Sequence, residues 1–110
     1  MNEILYCVYN TKKIETPVLI EINDFKKNGN EYSFEKHEHG YLNKIKLGKD
    51  NIFIDYGLSM GDSPLEWIYI YTTDKNLALT IFEEECIDIG AGMYGGKYRE
   101  FMERRSKNNT

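Results

Sequence analysis

The sequence predicts an α+β fold, in which an antiparallel sheet of about five to six short strands precedes two C-terminal helices. Three observations predict it. Up to residue 71, short stretches of alternating or continuous apolar residues are separated by turn-forming residues, which is typical of strands. After Thr73-Asp74 the apolar residues recur every three or four positions, as in helices. Strands followed by helices in this order indicate an α+β architecture.

The first half of the chain contains the first predicted strands. The apolar run Ile4–Tyr9 indicates a central strand with both faces covered, and Asn10–Lys13 indicates a turn. A second strand begins after Pro17, where apolar residues alternate. Asn28-Gly29 predicts a hairpin turn because both residues tolerate positive φ, and Tyr32 begins the return strand.

Three further strands are expected before the helices. They cover residues 42–47, 52–56 and 65–71, with a tight turn at 48–51 and a loop at 57–64. The last strand has the strongest β character, with Trp67, Tyr69 and Tyr71 on one face and Ile68 and Ile70 on the other. We therefore expect it to lie in the middle of the sheet.

Asp74 is the predicted N-cap of the first helix, and Gly90 is its predicted stop. Helical spacing resumes from Tyr94 to Arg105. Residues 1–105 are therefore expected to form a single domain, and the polar tail 106–110 is expected to fray.

Composition and charge restrict the classes of function. The net charge of −4 argues against general nucleic-acid binding. Residues 97–110 carry a local charge of +3, so a basic end follows an acidic body. No apolar stretch is long enough to cross a membrane, and no secretory signal is evident, so we expect a cytoplasmic protein without membrane association. The only cysteines, Cys7 and Cys86, lie in apolar patterns and are expected to be buried and reduced.

A glycine-rich segment near the C-terminus is the candidate ligand site. Backbone N–H groups at a glycine-rich helix start can bind an anion, and flanking rings can stack on a base. The residues in question are Tyr94, Gly95, Gly96, Lys97, Tyr98 and Arg99. The alternative is that these glycines only join two helices. No Walker or G-x-G-x-x-G spacing is present.

The segment that contains both histidines offers candidate metal ligands, although we assign no metal site. On a strand, Glu35, His37 and His39 would share one face, as imidazole and carboxylate ligands of one metal would need to. An exposed polar strand face explains the same pattern. No motif of nucleophilic catalysis is present, so we assign no catalytic residue and no cofactor, although a pair of one cysteine with one histidine remains an alternative.

The surplus of aromatic residues predicts an interface. Nine tyrosines, five phenylalanines and one tryptophan are many for one core of 110 residues, although an AT-rich genome would also favour tyrosine. The predicted contact residues lie on the aromatic strand face and on the last helix: Trp67, Tyr69, Tyr71, Phe101, Met102 and Arg105. If the helices cover this face only in part, it becomes a partner site, and we expect a homodimer.

The junction YIYTTDKNLALTIFEEECI, residues 69–87, resembles one found in small accessory proteins of phages and mobile elements of low-GC Gram-positive bacteria. The resemblance covers about half of the chain. It implies a binding protein, such as an inhibitor of antiphage defence that occupies a host protein or sequesters a nucleotide signal.

Three functions are therefore open. The first is a non-enzymatic, phage-encoded inhibitor that acts by protein–protein contact with a host defence protein. The second is capture of a nucleotide-like anion at residues 90–99. The third is a metal-dependent enzyme that uses His37 and His39.

Overall fold

A computed structural model of the chain describes residues 3–11, 16–35, 43–59, 61–62, 65–83 and 100–105. Seven strands and a helix are present in this order: β1 (Leu5–Thr11), β2 (Val18–Ile22), β3 (Phe25–Asn28), β4 (Glu31–Phe34), β5 (Lys44–Lys46), β6 (Ile52–Ser59), β7 (Leu65–Thr72) and α1 (Lys75–Glu83). Residues 100–105 are helical and are named α2. The α+β class is confirmed in outline, but the strands form two sheets instead of one.

The larger sheet has four antiparallel strands in the order β2-β1-β7-β6. The predicted central positions of β1 and β7 are confirmed, because each lies between two neighbours. Leu5 to Asn10 are all buried, as an unbroken apolar run requires in a strand covered on both faces. The strand continues through Thr11, so the predicted turn at Asn10 is wrong, because Asn10 and Thr11 pair with Ile68 and Trp67 of β7.

The smaller sheet has three antiparallel strands in the order β3-β4-β5. The predicted hairpin before Tyr32 is present, and Gly29 has a φ of 67° at the first central position of the turn. Its first strand, however, is Phe25–Asn28, a segment that was not predicted as a strand. The second predicted strand, Val18–Ile22, pairs with β1 instead. A second sheet therefore begins directly after β2.

Two apolar cores separate three layers. On one face of the larger sheet, β1 and β7 pack against Leu77, Ala78 and Ile81 of α1 and against Phe101 of α2. The opposite face packs against the smaller sheet, and we call it the inter-sheet face. Its core combines Leu5, Cys7, Tyr9, Tyr69 and Tyr71 of the larger sheet with Tyr32, Phe34, Ile45 and Leu47 near the smaller one. Both faces of the larger sheet are thus apolar.

The start of α1 confirms the predicted cap. The backbone N–H of Leu77 donates to Oδ1 of Asp74 at 3.1 Å, which satisfies one of the first N–H groups of the helix. Nη2 of Arg105 lies 3.8 Å from Oδ2 of the same carboxylate, so Asp74 also contacts α2. The predicted helix stop at Gly90 lies outside the described residues.

The strand β6 is longer than predicted. It was expected to end at Tyr56 before a loop, but it continues through Gly57 to Ser59. Gly57, Leu58 and Ser59 pair with Trp67, Glu66 and Leu65 of β7.

Among the helices of the described part of the chain, none is long and apolar enough to cross a membrane.

Candidate functional site

The inter-sheet face of β7 changes from buried to exposed along the strand. Alternate residues of a strand share one face, so Tyr71, Tyr69, Trp67 and Leu65 form one row. Tyr71 is 1% exposed and Tyr69 is 4% exposed, whereas Trp67 is half-buried and Leu65 is 52% exposed. The row therefore begins inside the core and ends in solvent.

The exposed end of this row is a small apolar surface on the β6–β7 pair. Leu65 lies opposite Ser59, and Trp67 lies opposite Gly57. We call these four residues the hairpin surface. Leu65 is the one large apolar side chain that is exposed among the described residues. Because Gly57 has no side chain, the ring of Trp67 lies directly over the backbone of β6. The flat indole ring of Trp67 and the exposed side chain of Leu65 are thus neighbours on one face of β7.

Packed rings lie next to the hairpin surface on the inter-sheet face. The rings of Tyr9 and Tyr69 stack with centroids 5.1 Å apart and planes 17° apart. Tyr71 contacts both Phe34 and Phe53, at centroid distances of 6.0 and 6.1 Å. Such aromatic contacts fix ring orientation as well as bury area. The hairpin surface is therefore continuous with a packed aromatic core, against which Trp67 lies.

Asp55 places a carboxylate on the inter-sheet face. It is half-buried in the middle of β6, directly opposite Tyr69. Burial is the main cause that raises the pKa of the Cys7 thiol and of the Tyr71 hydroxyl. The negative charge of the nearby Asp55 raises both pKa values further. The alternation along β6 places Asp55 on this face together with Phe53.

Cys7 is buried and reduced, as predicted. Burial raises the pKa of its thiol far above the ordinary value of 9.0, so the thiol stays protonated at physiological pH. A protonated thiol is neither a nucleophile nor a metal ligand. The Cys–His alternative is therefore unsupported for Cys7, and Cys86 lies outside the described residues.

A buried carboxylate on the opposite face of β7 was not predicted. Glu66 is 5% exposed, and Oη of Tyr56 donates a hydrogen bond to its Oε2 at 2.6 Å. Asn10, which is 2% exposed, lies on the same face of the sheet. The signal was present in the sequence, since Glu66 is in alternation with the buried Ile68. The hydrogen bond satisfies the carboxylate within the protein and gives it a structural role.

The outer end of the smaller sheet has a shallow groove of about 410 Å³. Its lining mixes acidic and basic side chains with two rings, and consists of Asp24, Phe25, Lys26, Ser33, Phe34, Glu35, Asn43 and Lys44. Lys44 forms an ion pair with Glu31 at 3.2 Å. Because both signs of charge are present, the groove selects neither an anion nor a cation.

A polar cluster connects the start of the chain to the smaller sheet. Oη of Tyr32 donates to Oε1 of Glu3 at 2.5 Å, and Nζ of Lys27 lies 3.2 Å from the same carboxylate. The Tyr32 hydrogen bond lowers the pKa of Glu3, while burial raises the pKa of Tyr32. Lys27 also lies 5.4 Å from the Tyr32 ring centroid. These contacts satisfy one another and hold β3 and β4 against residue 3.

The structure uses most of the predicted interface residues within the chain. Tyr69 and Tyr71 are buried between the two sheets, and Phe101 is 9% exposed in the core beneath α1. Met102 packs against that core, and Arg105 pairs with Asp74. At Tyr69 and Tyr71 the predicted aromatic face is thus covered by a second sheet, which was not predicted from the sequence. Trp67, which is half-buried, is the member that reaches the surface.

The other predicted sites lie mostly outside the described residues. This holds for the ligand segment Tyr94, Gly95, Gly96, Lys97, Tyr98 and Arg99, and for His37 and His39. Both sites remain predictions. Glu35 is exposed at the end of β4. Within the described ranges, no three His, Cys, Asp or Glu side chains are grouped as metal ligands would be.

Comparison with known proteins gives no relative from which a role could be transferred. No protein-family model, no curated protein and no solved structure matches the chain.

Proposed function

We propose that this chain is a small binding protein that acts by contact with another protein through the hairpin surface. The observation that carries the proposal is the exposure gradient along β7, from Tyr71 at 1% to Leu65 at 52%. One exposed leucine on a protein surface is ordinary. Here the leucine lies next to a half-buried tryptophan, and tryptophan is one of the residue types most enriched at interface hot spots.

The packing of Trp67 favours binding. Its ring lies over Gly57, and its side chain packs against the inter-sheet core, so little side-chain freedom would be lost on contact. An indole presents a large apolar area with few rotatable bonds, which is why tryptophan is enriched at hot spots. A partner with an apolar side chain of matching shape would bury Leu65 and the rest of Trp67 together.

The partner class follows from the resemblance of residues 69–87 to accessory proteins of phages and mobile elements. A host bacterial protein is the first class to test, and the chain would inhibit that protein by occupying it. The chain as a whole has a net charge of −4, which would favour a basic partner face. The proposal also includes a cytoplasmic location and a homodimer as the working unit.

The test is a quantitative pull-down from a lysate of a low-GC Gram-positive bacterium, followed by calorimetry with the retained protein. Leu65→Asp places a charge on the hairpin surface. Asn76→Asp is the matched control, because it adds the same charge at an exposed position in the first turn of α1. Both variants should keep the wild-type circular dichroism spectrum, since both positions are exposed.

We expect the wild type and Asn76→Asp to retain the same protein and Leu65→Asp to lose it. Affinity for the purified partner should fall about 30-fold or more for Leu65→Asp, because the contact would take the new carboxylate out of water without a partner. Retention of no specific protein by the wild type, or equal affinity of both variants, would show that the proposal is wrong.

A further inference from the structure

In the described part of the chain, β2 lies at one edge of the larger sheet, and its sequence is self-complementary. Among the described strands, β2 and β6 form the edges of the larger sheet, and β3 and β5 form those of the smaller one. An edge strand presents unpaired N–H and C=O groups to any strand that can align with it. The side chains of each edge therefore decide which strand it can accept.

Three of these four edges carry groups that oppose pairing with a second copy. Lysines on edge strands and very short edge strands discourage pairing. β3 contains Lys26 and Lys27, and β5 is three residues long with two exposed lysines. Two antiparallel registers would overlap nearly the whole of β6 with β6 of a second copy. In one register the half-buried Asp55 lies opposite Asp55 of the second copy, and in the other it lies diagonal to it. The two like charges oppose pairing in both registers.

β2 lacks these obstacles. It contains neither lysine nor proline, and four of its five residues are apolar and half-buried. Val18, Ile20 and Ile22 pack against the inter-sheet core, whereas Leu19 packs against the core beneath α1. The one charged residue, Glu21, is exposed. Its charge is therefore screened by solvent.

The register of β2 is symmetric about Ile20. In an antiparallel pair, a two-fold axis perpendicular to the sheet through Ile20 places this residue opposite itself. The same axis places Val18 opposite Ile22 of the second copy and Leu19 opposite Glu21 of the second copy. All five residues overlap, and every side chain meets a residue of the same face. β6 cannot overlap fully with a second β6 in this way. It has eight residues, and a full antiparallel overlap of an even number would place residues of opposite sheet faces across from each other.

We propose that a second copy of this chain pairs with β2, so that two four-stranded sheets join into one eight-stranded sheet across a β2–β2 contact. The contact is isologous, as closed dimers require. It extends both apolar cores across the dimer axis, because β2 contributes side chains to each of them. α1 contacts β2 and so lies close to the joint. This inference does not depend on the hairpin surface.

The test combines sedimentation velocity with disulfide trapping of purified full-length protein. Directly opposite residues in an antiparallel pair have Cα atoms about 4.5–5.5 Å apart, within the range of a disulfide. Ile20→Cys should therefore cross-link to itself. Ile22→Cys is the matched control on the same face of the strand, because it would lie opposite Val18. The wild type controls for Cys7 and Cys86.

We expect the wild type to sediment as a dimer, and Ile20→Cys to form at least about tenfold more covalent dimer than Ile22→Cys under mild oxidation. A mixture of Val18→Cys and Ile22→Cys variants should cross-link to each other. Ile20→Lys should be monomeric, because it places two like charges opposite each other. If that variant does not fold, the cysteine variants still decide. A monomeric wild type, or equal cross-linking at residues 20 and 22, would overturn the proposal.

Discussion

The indole ring of Trp67 lies over Gly57, its direct partner across the β6–β7 pair. A β-carbon built on Gly57 would lie 2.6 Å from Cη2 of the ring and closer still to two other ring atoms. Carbon atoms in ordinary contact are about 3.5–4.0 Å apart. Only glycine at residue 57 therefore allows β6 to continue as a strand beneath the ring.

Gly57→Ala is expected to displace Trp67 and to lower the free energy of unfolding by about 1–3 kcal/mol, as overpacking does. Trp67 is the only tryptophan, so its emission maximum should shift to longer wavelength as the ring moves into solvent. Gly61→Ala is the control, since a β-carbon at Gly61 would have no atom within 4 Å. Equal stability and emission in both variants would contradict the described ring position.

Asp74→Ala is expected to destabilise the protein by about 1 kcal/mol, because the N-cap bond to the N–H of Leu77 is lost. Asp74→Asn keeps an oxygen acceptor and removes only the charge near Arg105. At 3.8 Å and with both side chains partly exposed, that ion pair is weak, so this variant should cost a few tenths of a kcal/mol. Chemical denaturation measures both. Equal losses of stability in the two variants would mean that the ion pair, and not the cap, accounts for the contribution of Asp74.

Asn51 has a φ of 65°, and its Oδ1 accepts a hydrogen bond from Oγ1 of Thr73 at 3.0 Å. Asn51→Ala loses the bond and places an unsuited residue in the left-handed region, whereas Asn51→Gly loses only the bond. Alanine should therefore be less stable than glycine here by about 1 kcal/mol, measured by thermal unfolding. Equal stabilities would show that the backbone at residue 51 is not strained.

Stability should fall at alkaline pH because of Cys7 and Tyr71. Burial raises the pKa of both groups above their ordinary values of 9.0 and 10.0. Above pH 9 the unfolded chain releases the thiol proton while the folded chain keeps it. The contribution of these two groups to the free energy of unfolding is then constant below pH 9. It falls by about 1.4 kcal/mol per pH unit for each group, above pH 9 for Cys7 and above pH 10 for Tyr71.

Guanidinium denaturation between pH 8 and pH 11 measures this loss. In Cys7→Ala the decline should begin only near pH 10, where Tyr71 starts to contribute. The cavity that this variant leaves should lower stability equally at every pH. An unchanged onset near pH 9 would rule out Cys7 as the group responsible.

The local features of this fold could be predicted from the sequence, and the pairing of its strands could not. Alternation correctly placed the row Trp67–Tyr69–Tyr71, and Asp74 was correctly identified as a cap. The second sheet was missed because Phe25–Asn28, with two lysines, has the composition of a turn, and becomes a strand only by pairing with β4.

The same limit applied to the candidate site. Whether the aromatic row is buried depends on which part of the chain covers it, and the covering residues are distant in sequence. Tyr69 and Tyr71 are covered by the smaller sheet, whereas Leu65, which periodicity placed at the start of the strand, projects beyond it. Gly57 appeared to end β6 because its compensating contact, the ring of Trp67, is ten residues away in sequence.

In-cell photo-crosslinking from residue 65 tests the central claim most directly. A photoreactive phenylalanine analogue replaces Leu65 in one variant and Asn76 in another, and both are produced in the bacterial host. We expect a discrete adduct with one host protein from residue 65 and none from residue 76, and the residue 65 adduct should disappear when unlabelled wild type is co-produced in excess. Adducts of equal yield from both positions, or none from residue 65, would contradict a contact through the hairpin surface.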